Sequence, residues 1–175
     1  MLRSLAAPRD ESDRWVTELF EANAGAAFNV AYRITWSRAD ALDVVQDAFI
    51  KAMRKADQLR EPTKARSWLL SITYREALSL LRSRRETATD PSDFDGLSGR
   101  AEDPADVVAR RELAAFIDAA IMRLAEPLRT AFVLRDVEEL PIAEVAEILG
   151  IGLSASKMRV ARAREQLRVA LEGVI

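Results

Sequence analysis

Neither cysteine nor histidine occurs anywhere in the 175 residues. Without thiols there is no disulfide framework, no thiolate metal site and no cysteine nucleophile. Without imidazole the commonest general base and the commonest metal ligand are missing. A glycine-rich phosphate loop is also lacking, so an enzyme is the class with least to build on, and no cofactor or metal is expected. Long apolar runs are absent too. The longest uncharged stretch, Ala22 to Tyr32, is far short of the ~20 residues a membrane span needs. Asp10 and Glu11 interrupt the N-terminus before any apolar core of signal-peptide length. The expectation is a soluble cytoplasmic protein with no membrane insertion. Aromatic residues make up only 6% of the chain, whereas Ala, Leu, Arg and Glu abound, which favours helix almost everywhere. No strand pattern and no internal repeat interrupts that reading.

What is present is organised around the stretch from Leu140 to Leu171. Pro141 suits the first turn of a helix. Ile142, Val145, Ala146 and Leu149 recur at helical spacing, and Gly150 is placed as a C-terminal stop. Ser154 is positioned to cap a second helix, in which Val160, Ala163, Leu167 and Leu171 hold one apolar face. Two helices joined by a short glycine-containing turn form a helix-turn-helix. The second carries Lys157, Arg159, Arg162, Arg164 and Arg168 against Glu165. Such a helix suits the major groove of DNA, because Lys and Arg neutralise phosphates and reach guanine edges. Lys157 and Arg162 are read as facing one side near its start. Arg164 and Arg168 are the more readily explained as solvated or paired with acids.

Net charge is −2, which argues against a generally basic nucleic-acid binder, but charge is unevenly placed. Residues 60 to 85 hold Arg60, Lys64, Arg66, Arg75, Arg82, Arg84 and Arg85 against Glu61 and Glu76. Residues 86 to 106 hold Glu86, Asp90, Asp93, Asp95, Glu102, Asp103 and Asp106 against Arg100. Two basic stretches flank an acidic one.

Periodicity predicts a first helix over about 13–35, with Val16, Leu19, Phe20, Ala27, Ala31 and Ile34 on one face and Gly25 a weak point. Ser37 and Asp40 resemble a capping box that opens a second helix. There Leu42, Val45, Phe49, Met53 and Ala56 repeat at three- and four-residue steps, while Asp43, Gln46, Asp47 and Ile50 lie on a more exposed side. Asp43 and Asp47 stand one turn apart. With no histidine nearby and Gln46 between them, an interaction surface fits better than a metal site. A loop containing Pro62 follows, then a third helix on Trp68, Leu69, Ile72, Leu78 and Leu81. Residues 10–85 are therefore expected to form one helical domain. Residues 86–103, with Pro91, Gly96, Gly99 and many acids, have little to bury and read as a flexible acidic linker. Residues 104–175 read as a bundle of four helices: one opening at Asp103-Pro104 with Leu113, Phe116, Ile117, Ala120, Ile121 and Leu124, one opening at Pro127 with Leu128, Ala131, Phe132 and Val133 or Leu134, then the helix-turn-helix. The fold class is all-α, with two small helical domains on a tether.

This order of parts resembles a bacterial RNA polymerase sigma factor of the extracytoplasmic-function type (group 4 of the sigma-70 family) over nearly the whole chain. DALDVVQDAFIKAMR (Asp40 to Arg54) is similar to the family's core-polymerase-binding helix. ARSWLLSITYREALSLLRSRR looks like the segment that handles the −10 promoter element. RRELAAFIDAAIMRLAEPLRTAFVLRDVEELPIAEVAEILGIG, followed by RVARAR at 159–164, looks like the C-terminal domain and its helix-turn-helix. The resemblance implies a non-enzymatic subunit that binds core RNA polymerase (its beta and beta-prime subunits) and promoter DNA, promotes DNA melting at transcription initiation, and is held by an anti-sigma factor. It places polymerase contact on Asp43, Gln46, Asp47, Phe49 and Ile50. It places −10 contact on Arg60, Lys64, Arg66, Trp68, Tyr74, Arg75 and Arg82, with cations for phosphates and aromatic or planar surfaces for unpaired bases. It places −35 contact on Ser154, Ser156, Lys157, Met158, Arg159 and Arg162.

The chain departs from the family at defined points. Arg75 stands where Asn is common and Ser79 where Asp is. Ala155-Ser156-Lys157-Met158 replaces a common Thr-Val-basic-Ser run. Promoter sequence therefore does not carry over from a relative. Taken alone, Trp68 reads more readily as core than as a stacking platform, and Met158 as either core or a contact to a thymine methyl. Trp15 and Trp36 read as packing or boundary residues. Two other functions share these features: a sigma mimic that titrates an anti-sigma factor, and a free-standing helix-turn-helix regulator, which would dimerise on paired half-sites.

Overall fold

The structure, a computed structural model, describes residues 9–59, 61–87 and 106–172, of which 9–13, 85–87 and 106–113 are described by backbone alone. The described residues are helical, and the chain divides into two compact units, Met1–Ser92 and Asp93–Ile175. The linker expected over 86–103 lies outside the described residues, apart from two residues that α3 takes up.

The first unit packs three helices mutually: α1 (Arg9–Thr35), α2 (Arg38–Lys55) and α3 (Ala65–Thr87), with short 3₁₀ turns at Ala56–Gln58 and Pro62–Lys64 between the last two. Val16, Ala27, Val30, Ala31 and Ile34 of α1 are buried, as are Leu69, Leu70, Ile72 and Ala77 of α3, and Val16, Leu69 and Ile72 share one core cluster with Ala48 and Ala52 of α2. On α2 the fully buried row is Ala41, Val44, Ala48 and Ala52, not the bulkier row expected. Alanine lets helix axes approach, so the large side chains Val45, Phe49 and Met53 are pushed to the flank and Leu42 to the outside, 51% exposed. Helix α1 runs through Gly25 unbroken.

Trp36 marks the corner between α1 and α2. It takes φ 56°, a left-handed conformation that costs a bulky residue energy. Its N–H donates to the Tyr32 carbonyl at 2.7 Å and its ring stands edge-on to Tyr32 at 5.7 Å. Ser37 then caps α2, its Oγ accepting from the Asp40 N–H at 3.3 Å. The Asp40 carboxylate, buried in the first turn of α2, receives Arg84 of α3 at 2.5 Å. That ion pair, with Lys51–Glu76, fixes α2 against α3.

In the second unit α4 (Asp106–Arg123), α5 (Glu126–Phe132) and α6 (Ile142–Leu149) surround α7 (Leu153–Leu171). Pro127 sits in the first turn of α5 as expected. That helix widens into a π turn, Val133–Val137, in which the Glu138 N–H reaches back to the Val133 carbonyl at 2.9 Å. Val133 and Leu134 are both buried, so the alternative between them resolves into both. Arg129 bridges the α4–α5 turn, donating to the Met122 and Leu124 carbonyls at 3.1 Å each. On α4, Ala120 and Ile121 are buried, as is Leu124 just beyond its end, whereas Ile117 is 37% exposed. No described helix is long and apolar enough to cross a membrane.

Candidate functional site

The turn of the helix-turn-helix is built on Gly150, which ends α6 at φ 64°, ψ 36° while its N–H and that of Ile151 close the last turn. Pro141 is the N-cap of α6, one position ahead of the first turn. The cap of α7 is Gly152 rather than Ser154, which lies inside the first turn and is exposed.

Helix α7 is seated by Ser156, Val160, Ala163 and Leu167. At about 100° per residue, the ridge opposite that row runs through Ser154, Met158, Arg162 and Val169. All four are exposed, Met158 at 53%. Lys157 and Arg162 do not face one side: five residues apart, they stand about 140° around the helix. Lys157 instead flanks one side of the ridge and the half-buried Arg159 the other. Ser156 drops out of the expected DNA-facing set. Its side chain is fully buried and its Oγ finds no hydrogen-bond partner.

The cations of α7 divide sharply. Arg164 makes a two-point contact to Asp136, Nε–Oδ2 3.1 Å and Nη2–Oδ1 2.5 Å; this hydrogen bond pushes its pKa still higher. Arg168 grips Glu165 at 2.7 and 3.0 Å and also reaches Glu172. Its hydrogen bond holds the Glu165 carboxyl below the ordinary carboxylate range. Lys157, Arg159 and Arg162 enter no ion pair among the described residues. Uncompensated positive charge is thus confined to the N-terminal half of the helix.

On α2 the outward face carries Asp43, Gln46, Asp47 and Ile50, all exposed. Leu42 belongs with them, and periodicity missed it because a leucine in step with Val45 and Phe49 is read as core. Its signal was the parallel row of alanines one position over. Phe49 leaves this face: it is half-buried, with its ring 4.5 Å from Phe20 in the core.

The residues expected at the −10 element do not form one surface. Arg60 lies outside the described residues. Lys64 pairs with Glu61 at 3.7 Å, and Arg66 donates to Asn23 of α1 at 3.2 Å. Trp68 is half-buried and packs against the core, its ring 6.4 Å from that of Trp15, which packs there too. Tyr74 is half-buried. Arg75 and Arg82 are exposed with Ser79 between them, spaced to share one face of α3. Arg66, nine residues before Arg75, points the opposite way. Among the described residues no cluster of acids is suited to a metal ion.

Two family matches fall on these two units. Residues 19–87 match the family described as Sigma-70 region 2, and residues 117–167 the one described as Sigma-70, region 4. The chain is 31% identical to the sigma factor SigM of Mycobacterium tuberculosis, over 93% of this chain and 81% of that protein. The chain belongs to the extracytoplasmic-function sigma factors of bacterial RNA polymerase. This is a family of non-catalytic transcription proteins. It is also 31% identical to the sigma factor SigE of Mycolicibacterium smegmatis, over 86% of this chain, but it spans only 59% of that relative's length. Among solved structures, the sigma factor RpoE of Bartonella quintana, in complex with the anti-sigma factor NepR, is similar at TM-score 0.72 and 25% identity, over 91% of this chain and 98% of that one.

Proposed function

We propose that the chain directs core RNA polymerase to promoters, with residues 104–175 on the −35 element and residues 10–85 on the polymerase and the −10 element. The observation that carries this reading is the division of charge on α7. Arg164 and Arg168 are neutralised by Asp136, Glu165 and Glu172, while Lys157, Arg159 and Arg162 are left for a polyanion at the end that enters the groove. The outward face of α2, with acids and apolar side chains side by side, suits a surface of mixed basic and apolar character on the beta-prime or beta subunit. Arg75 and Arg82 supply cations for the −10 phosphates. An anti-sigma factor, as bound by the Bartonella quintana relative, would occupy the chain when it is idle.

The test combines the purified chain with bacterial core polymerase on sheared genomic DNA and sequences the RNA ends. Discrete starts sharing paired motifs near −35 and −10, absent with core alone, are expected. Stable binding to core without discrete starts would favour the mimic that titrates an anti-sigma factor. A footprint without polymerase would favour a free-standing regulator.

A further inference from the structure

The ridge of α7 that points farthest from its own core presents an unusual sequence of chemistry: Ser154, then Met158, then Arg162, one turn apart. A methionine 53% exposed at the centre of that ridge is bracketed by Lys157 on one flank and Arg159 on the other. The arrangement is that of a helix lying between two phosphate backbones, with cations reaching each strand and the central side chain turned to the base edges. Of the groups that base pairs display in the major groove, hydrogen-bond donors and acceptors offer little to a thioether, which is at most a weak acceptor. The one apolar group there is the C5-methyl of thymine. Methionine is suited to such a contact because its unbranched, polarisable chain adapts to the shape it meets.

We infer that Met158 is a specificity-determining residue that reads a thymine methyl in the upstream promoter element. The inference rests on the reading of α7 as a major-groove helix and adds to it a base identity. Arg162, one turn further on, reaches a neighbouring step, so the thymine lies beside the pair that Arg162 contacts.

The test uses holoenzyme reconstituted from the full chain and core polymerase. A duplex library randomised across the −35 region yields the preferred element. Each thymine in it is then replaced singly by deoxyuridine, which removes the methyl and nothing else. At one thymine the replacement is expected to weaken binding about fourfold, the worth of one buried methyl-sized group. With Met158→Ala the same replacement is expected to change nothing. Met158→Gln, of similar length but polar, should lose the preference for thymine while keeping the salt dependence. Both variants should unfold at the wild-type temperature, since the side chain is exposed. Equal sensitivity of wild type and Met158→Ala to every deoxyuridine would overturn the inference while leaving promoter binding intact. Selection of no element at all would overturn the promoter reading, and the inference with it.

Discussion

Helices α2 and α7 are built alike and differ only where they face out. Each seats itself mostly through small or β-branched residues, Ala41, Val44, Ala48 and Ala52 in one, Ser156, Val160 and Ala163, with Leu167, in the other. Outward, α2 offers Leu42, Asp43, Gln46, Asp47 and Ile50, and α7 offers Ser154, Lys157, Met158 and Arg162. A face of carboxylates and aliphatic side chains is repelled by a phosphate backbone and suits a protein. A face of unpaired cations does the reverse. The seating rows set the fold, and on the proposed reading the outward rows divide the labour.

That division is tested most strongly by exchanging losses between the two faces. Removing both cations with Lys157→Ala and Arg162→Ala is expected to cut initiation at −35-dependent promoters about a hundredfold or more, since each such side chain is worth ~1–3 kcal/mol on DNA. Affinity for core polymerase, measured by fluorescence anisotropy, should be unchanged. Asp47→Ala with Ile50→Ala should lower core affinity about tenfold or more and leave α7 competent on DNA. Leu42→Ala should add to that loss without lowering the melting temperature. If both sets of changes impaired the same step, the two faces would not be independent.

Two smaller changes act inside α7. The Ser156 hydroxyl is buried without a partner, so Ser156→Ala should stabilise the second unit by about 1 kcal/mol, read as a shift of the urea midpoint. Promoter selectivity should not move, whereas a base-reading serine would show a weakened preference. Asp136→Asn breaks the hold on Arg164. It is expected to steepen the dependence of DNA affinity on salt by about one unit of logarithmic slope, as one more phosphate is neutralised. Its cost in stability is small, below ~1 kcal/mol, because Arg164 is 55% exposed. An unchanged slope would mean that Arg164 cannot reach the backbone even when released.

How much of this was legible in the residues follows from what each signal measures. Helix order, the Gly150 turn and the Ser37 cap were legible because they depend on backbone chemistry local to a few positions. The buried row of α2 was not, because period alone ranks Leu42 and Phe49 as core and says nothing about how closely two helices approach. Ser156 and Lys157 are adjacent small and basic residues in a basic stretch, and only the phase of α7 against Val160 and Ala163 separates the buried one from the exposed one. The π turn at Val133–Val137 shifts that unit's register by a residue, and no sequence period marks it. The −10 set scattered for a related reason. Arg66 and Arg75 are both basic and both on α3, yet nine residues place them on opposite sides.

The finest distinction between the two halves of α7 is a matter of protons. Glu165 has a folded pKa below its unfolded value because Arg168 donates to it. A carboxylate so depressed contributes stability that is fully present above the unfolded pKa and fades as pH falls through the folded one. The contribution is small, since both side chains are in solvent and screened. Acidification should therefore loosen the last turns of α7 slightly, read as earlier loss of amide protection there than near Lys157. Arg168→Gln should return the Glu165 carboxyl to the ordinary range in a carbon-detected NMR titration. DNA affinity should not rise in Glu165→Gln at neutral pH, because Arg168 also reaches Glu172. A rise in affinity in that variant would mean that Arg168 is held back by Glu165 alone and belongs, like Lys157 and Arg162, to the DNA-facing set.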